Sequence, residues 1–172
     1  MDDLSLPEVE RLVAAANAVR RRRDASGGEV ESDGHRAERR LDARFGAGHR
    51  LAVYGTLAPG QPNNHIVAPL GGEWTDGLVE GELLPEGWGA ALGYPAFRPQ
   101  AGGPAVAVRV LTAPSLETAW PALDRFEGPD YQRILVPVLS TEPGAKQAGK
   151  RRLYTVANLY AAAEDSPDAR RR

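Results

Sequence analysis

Leu51-Ala52-Val53-Tyr54-Gly55-Thr56-Leu57-Ala58-Pro59-Gly60 is the stretch on which the reading of this chain turns. A short apolar run, expected to be a buried strand, feeds directly into a loop rich in Gly and Pro. Such a loop can direct several backbone N–H groups into one concavity, a site for a carboxylate or a developing oxyanion. Gly55 would allow a close backbone approach that any Cβ could hinder. The same residues also describe an ordinary strand end with a surface turn, which is the commoner meaning of so short a motif.

Outward from this run, further strand-like segments are broken by Gly and Pro. Trp74 to Leu84 alternates loosely, and Ala105 to Leu111 is rich in valine. Tyr131 to Leu139 and Leu153 to Tyr160, joined by the polar region around Glu142 to Lys146, predict an antiparallel hairpin with a long loop. Between the strands, Leu116, Ala119, Trp120, Leu123 and Phe126 recur at helical spacing within Ser115 to Phe126. Pro121 interrupts that helix: either it bends there, or a tight turn ends and the helix proper starts near Trp120. Five or six strands with one main helix predict an α+β fold, a small mixed sheet curled toward a barrel with flanking helices.

The segment before the first strand reads as a helical extension. Ser5-Leu6-Pro7-Glu8 resembles a capping box, and Leu6, Val9, Leu12, Val13, Ala16 and Val19 follow at helical spacing. Arg20 to Arg23 suit the C-terminal end of that helix. Gly27 to Gly34 reads as a linker and His35 to Phe45 as a second, charged helix. The expected division is an extension over 1–49, the main domain over 50–160 and a disordered polar tail over 161–172. On this reading residues 51–160 fold without the extension. The apolar stripe of the first helix would pack on the barrel or on a second chain, the latter giving a homodimer.

Composition removes several classes of function. There is no cysteine, so disulfides, thiolate zinc sites and cysteine nucleophiles are excluded. Three scattered histidines, His35, His49 and His65, supply no structural metal motif. No apolar run approaches the roughly 20 residues that span a bilayer. The acidic start, Met1-Asp2-Asp3-Leu4, lacks the apolar core of a secretory signal, which makes the cytoplasm the expected location. With 21 basic and 23 acidic residues the net charge is -2, so neither nucleic acid nor an anionic membrane is expected as partner. Residues 1–50 hold ten of each sign, and the Arg-rich first helix is therefore no polycationic arm.

A second candidate site lies at Leu123-Asp124-Arg125-Phe126-Glu127-Gly128-Pro129-Asp130-Tyr131-Gln132-Arg133. Gly128 and Pro129 end the helix, leaving Glu127 at its C-terminus, where the macrodipole disfavours negative charge. Asp124 and Asp130 add like charge, and burial would raise the carboxyl pKa further. A carboxyl tuned upward suits general acid/base chemistry near neutral pH. A solvated glutamate at a frayed helix end is the plainer alternative. By strand alternation Tyr131 and Arg133 share a face; they either line the site or form an aromatic with a stacked cation on the surface.

Together the two motifs resemble the γ-glutamylcyclotransferase-like, or AIG2-like, family. The resemblance rests on Val53-Tyr54-Gly55-Thr56-Leu57 and on Leu123-Asp124-x-Phe126-Glu127-Gly128-x-x-Tyr131-x-Arg133, with Gly77-Leu78-Val79-Glu80-Gly81-Glu82-Leu83 and Gly93-Tyr94-Pro95-Ala96 between them. It covers about residues 50–160 and implies a small mixed β-barrel with no metal or organic cofactor. It also implies an activity, cyclisation of a γ-glutamyl group to 5-oxoproline with release of the amine. Carried onto this chain, Glu127 is the catalytic acid/base, and the amides of Gly55, Thr56 and Leu57 cradle the substrate carboxylate or oxyanion. Tyr54, Tyr131 and Arg133 complete the implied substrate-binding set, and the partner is a small γ-glutamyl compound. A non-catalytic module binding an amino-acid-like ligand on the same barrel is the alternative; Glu127 discriminates, since mere binding does not need a carboxylate so placed.

Overall fold

The structure, a computed structural model, describes residues 4–23, 32–84, 95–142 and 151–163. Helices α1 (Leu6–Arg23) and α2 (Asp33–Phe45) precede the strands β1 (Arg50–Val53), β2 (Glu73–Leu84), β3 (Ala96–Pro99) and β4 (Ala105–Thr112). Helix α3 (Leu116–Glu127) then leads to β5 (Tyr131–Leu139) and β6 (Leu153–Ala162). Three short 3-10 turns fill connections at Ala47–His49, Asn64–Ile66 and Ala68–Leu70.

Five strands close a mixed barrel in the order β2-β4-β1-β6-β5 and back to β2, with β3 added to β2. β1 runs antiparallel to β4, Leu51 opposite Leu111, and parallel to β6, Leu51 opposite Asn158. The β5–β6 hairpin is antiparallel, as its two apolar runs predict. The closing pair, β2 with β5, meets at Leu78 and Leu139. Inside, the barrel is filled by small and β-branched side chains, among them Val79, Val108, Val110, Ile134, Val136 and Val138. Such residues suit the pleated, crowded inner face of a small barrel.

The strand and helix runs read from the sequence match these elements closely. β3 was not among the runs read: it is only four residues long, and half of it is Arg98 and Pro99. α3 is one continuous helix through Pro121. The ring removes the N–H that would bond the carbonyl of Glu117, so the helix depends on its outer contacts. It buries Leu116, Trp120 and Leu123 against Leu51, Val53 and Leu111 of the barrel wall.

The N-terminal helices occupy another part of the barrel's outside. Glu8 accepts hydrogen bonds from the Ser5 backbone N–H (2.9 Å) and hydroxyl (2.6 Å), a box closed from the glutamate side. Val9, Val13 and Ala16 of α1 and Ala37 and Leu41 of α2 are buried with Leu135 of β5 and Val156 of β6. Of the two destinations open to the α1 stripe, this is the barrel. The core that residues 51–160 were expected to hold alone is therefore continuous with α1 and α2. Of the linker read at Gly27–Gly34, residues 27–31 lie outside the described residues, and Asp33–Gly34 already belong to α2. Gly34 is buried, and a Cβ there would meet Val19 Cγ2 at 2.2 Å and the Ala15 carbonyl oxygen at 2.5 Å. The two helices cross at a point with no room for a side chain.

At the other end, β6 extends to Ala162, two residues into the stretch read as tail. Residues 164–172, Gly93 and Tyr94, and most of the β5–β6 loop lie outside the described residues.

Candidate functional site

β1 ends at Val53 on the rim of the barrel, and the chain turns there through Tyr54 to Leu57. Two asparagines lock this loop. The side chain of Asn63 donates to Thr56 Oγ1 at 2.9 Å while its backbone N–H donates to the Thr56 carbonyl at 2.9 Å. Asn64 Nδ2 donates to the Leu57 carbonyl at 2.9 Å. These bonds occupy loop oxygens. The N–H groups of Gly55, Thr56 and Leu57 find no acceptor among the described residues. Rigid, unpaired amides of this kind suit an anion. Gly55 has open space where a Cβ would project and no positive φ, so the backbone itself does not demand glycine.

A cavity of about 460 Å³ opens over this loop, lined by Tyr54, Gly55, Thr56, Leu57, Asn63, Pro95, Phe126, Glu127, Asp130, Tyr131 and Tyr160 among others. Glu127 enters it from the last turn of α3, where Gly128, at φ +76°, turns the chain out of the helix. Burial pushes the Glu127 carboxyl up to about 7. Of the causes expected from the sequence, the helix end, the neighbouring aspartates and burial, it is removal from water that raises it. The three tyrosines respond to the same enclosure. Burial raises Tyr54, Tyr131 and Tyr160, and the charge of Glu127 adds to the shift of each.

The tyrosines are not equivalent. Tyr54 Oη donates to the Tyr160 carbonyl at 2.8 Å and accepts from the Phe97 N–H at 3.2 Å. Its hydroxyl thus ties β3 and β6 to the loop, and its ring forms cavity wall. Tyr160 Oη donates to Asp124 Oδ1 at 2.7 Å.

Six of the seven residues singled out from the sequence, Glu127, Tyr54, Gly55, Thr56, Leu57 and Tyr131, meet in this cavity. Arg133 does not. Its guanidinium lies over the Trp120 ring, 4.5 Å from the centroid, and forms a fork with Asp124 at 2.8 and 3.2 Å. It is the stacked cation of the plainer reading, although the aromatic is Trp120. Sequence reasoning missed Asn63 and Tyr160, and took Asp130 only as a like charge near Glu127. The hairpin register sets Tyr160 opposite Arg133 and so brings it to this end of the barrel; Asn63 had no signal beyond being an amide in a turn.

Residues 51–171 match the family model described as gamma-glutamyl cyclotransferase, AIG2-like. The chain belongs to that family. The matched region takes in the described strands from Leu51 of β1 onward and both candidate motifs, and leaves α1 and α2 outside it. Among solved structures, the crystal structure of an AIG2-like protein from Mus musculus aligns with TM-score 0.51 and 22% identity over 70% of this chain and 80% of that one. An uncharacterized protein from Pyrococcus horikoshii aligns with TM-score 0.44 and 19% identity over 66% and 76%. No curated protein matches the chain. The likeness to the mouse protein supports the barrel with flanking helices found here.

Proposed function

We propose that this protein is a cytoplasmic γ-glutamylcyclotransferase that converts a γ-glutamyl amide to 5-oxoproline and the free amine. The observation that carries the reading is one cavity holding both a carboxyl raised by burial and a loop whose amides have no acceptor among the described residues. Glu127, as carboxylate, takes a proton from the substrate α-ammonium. The freed nitrogen attacks the side-chain carbonyl carbon, forming the ring C–N bond and an oxyanion that the Gly55, Thr56 and Leu57 amides stabilise. The bond to the leaving nitrogen then breaks as Glu127 returns a proton to it. Glu127, ionised again, then takes the extra proton from the ring nitrogen and passes it to the departing amine. Of the three α-ammonium protons one stays on the lactam nitrogen and two finish on the released ammonium, so the charge balances.

The position of the Glu127 pKa supports both halves of this cycle. A carboxyl at about 7 rather than 4.5 is a stronger base by roughly 300-fold and remains half ionised at neutral pH. Incubation with a panel of γ-glutamyl amino acids and γ-glutamyl amines, followed by detection of 5-oxoproline, tests the reading. Binding of such compounds without 5-oxoproline would favour a ligand-binding module on the same barrel.

A further inference from the structure

Arg133 sits behind the cavity, and its guanidinium makes its closest contacts with α3, the helix that carries Glu127. Trp120, Asp124 and Glu127 are spaced i, i+4 and i+7 along α3, one stripe of the helix. Arg133 grips the first two. Its Nε and Nη2 donate to the two oxygens of Asp124, and its flat face covers the Trp120 ring. A planar fork fixes a carboxylate in direction as well as distance. Two fixed points a turn apart set how far α3 is rotated and advanced, and hence where Glu127 stands a turn later.

Three further contacts hold the clamp. Tyr160, which lines the cavity, donates to Asp124 Oδ1, and Arg133 Nη1 donates to Asn158 Oδ1 at 3.3 Å. Arg20 of α1 donates to that same Asn158 oxygen at 2.7 Å. Partial burial of Asp124 raises its carboxyl, but the bonds from Arg133 and Tyr160 outweigh this and keep it below the usual range, so the fork stays ionised. A half-exposed ion pair adds little to stability. α3 has also lost an internal bond at Pro121. The effect of the fork is therefore expected in geometry.

We propose that Arg133 is a positioning residue: by clamping α3 at Trp120 and Asp124 it sets the placement of the Glu127 carboxyl, and it does not bind substrate. The proposal rests on the cyclotransferase reading for its kinetic readout, and on Glu127 alone for its spectroscopic one. Among the described residues, the charged and titratable groups that line the cavity with Glu127 are Tyr54, Asp130, Tyr131 and Tyr160, contributed by the amide loop, the α3–β5 turn, β5 and β6.

The test uses full-length R133Q, R133K and D124N. Steady-state kinetics are measured on the γ-glutamyl compound that the parent turns over best. In parallel, the Glu127 carboxyl is titrated by 13C NMR, assigned from the spectrum of E127Q. R133Q is expected to lower kcat at least tenfold with KM within about twofold, R133K to fall between it and the parent, and D124N to follow R133Q. In R133Q and D124N the Glu127 midpoint should drop from about 7 toward 4.5 as water reaches a loosened helix end. A raised KM with unchanged kcat would overturn the proposal and make Arg133 a substrate ligand. Unchanged kcat, KM and midpoint would overturn it and leave only a surface pair. Should R133Q fail to fold, the near-isosteric D124N and the charge-preserving R133K decide by the same criteria. If the parent forms no 5-oxoproline from any compound, the catalytic reading fails by itself. The NMR midpoint then decides the positioning claim alone, a drop supporting it and no change overturning it.

Discussion

Asn17 holds both backbone groups of Leu135, its Nδ2 donating to the carbonyl at 2.9 Å and its Oδ1 accepting from the N–H at 2.8 Å. Both side chains are buried, and the bonds join positions 118 residues apart. β5 is ladder-paired with β2 at Leu78–Leu139 alone, and at Leu135 the edge it turns from β6 is completed by this amide. The N-terminal helix thus seals a gap in a barrel otherwise built from residues 50–162.

This relationship predicts a large effect from a small change. Asn17→Ala strands a buried donor and a buried acceptor, each at a cost of about 1–3 kcal/mol. Urea denaturation should show a loss of at least about 2 kcal/mol. A change under about 0.5 kcal/mol would mean that water reaches the Leu135 edge.

Removal of residues 1–49 should do more. It uncovers Leu135 and Val156, which are 1% and 0% exposed under α1 and α2. The truncated chain is expected to lose its cooperative melt or to need detergent to stay dispersed. A melting temperature within a few degrees of the parent would restore the view that the extension is an appendage.

How much of this was legible beforehand depended on the range of the signal. β5 matched its apolar run residue for residue, and the helix end at Glu127-Gly128-Pro129 is local chemistry that any chain with those residues carries. Placement across the molecule was less visible. Alternation puts Tyr131 and Arg133 on one face, but which neighbour each side chain meets depends on α3, whose docking the strand pattern does not encode. The buried Asn17 and Gly34 were hidden for a similar reason. Each looks polar or flexible in sequence, and its meaning comes only from what packs against it.

Gly55→Val separates two explanations of the glycine in this turn, one by backbone and one by space. Gly55 has no positive φ, and a side chain there would project into open space. The substitution should leave the melting temperature within about 3 °C, since no strain of the kind that costs 1–3 kcal/mol is introduced. Affinity for γ-glutamyl compounds, read by calorimetry, should fall at least tenfold because the side chain enters the amide cradle. Unchanged affinity would place the ligand elsewhere.

Stability should depend on pH through Glu127. Its carboxyl is at about 7 folded against 4.5 unfolded, so between these values the native state holds the extra proton. Stability from this group is full below 4.5, is lost as pH rises toward 7, and is flat above. The total is about 3 kcal/mol by linkage. Glu127→Gln removes the titration. The variant should match the parent near pH 4 and exceed it at pH 8 in chemical denaturation. Parallel curves at the two pH values would show that Glu127 is hydrated.

Turnover by Glu127→Gln tests the central claim most directly. Gln keeps the size of the side chain but can neither take the ammonium proton nor return one to the leaving nitrogen. One general acid/base contributes about 10²–10⁴-fold, and a residue acting in both steps should lie toward the upper end. With a γ-glutamyl compound that the parent converts, 5-oxoproline formation by Glu127→Gln should fall by at least about a thousandfold while the fold is retained. Formation within about threefold of the parent would contradict the account and leave Glu127 as a buried helix end with no part in the chemistry.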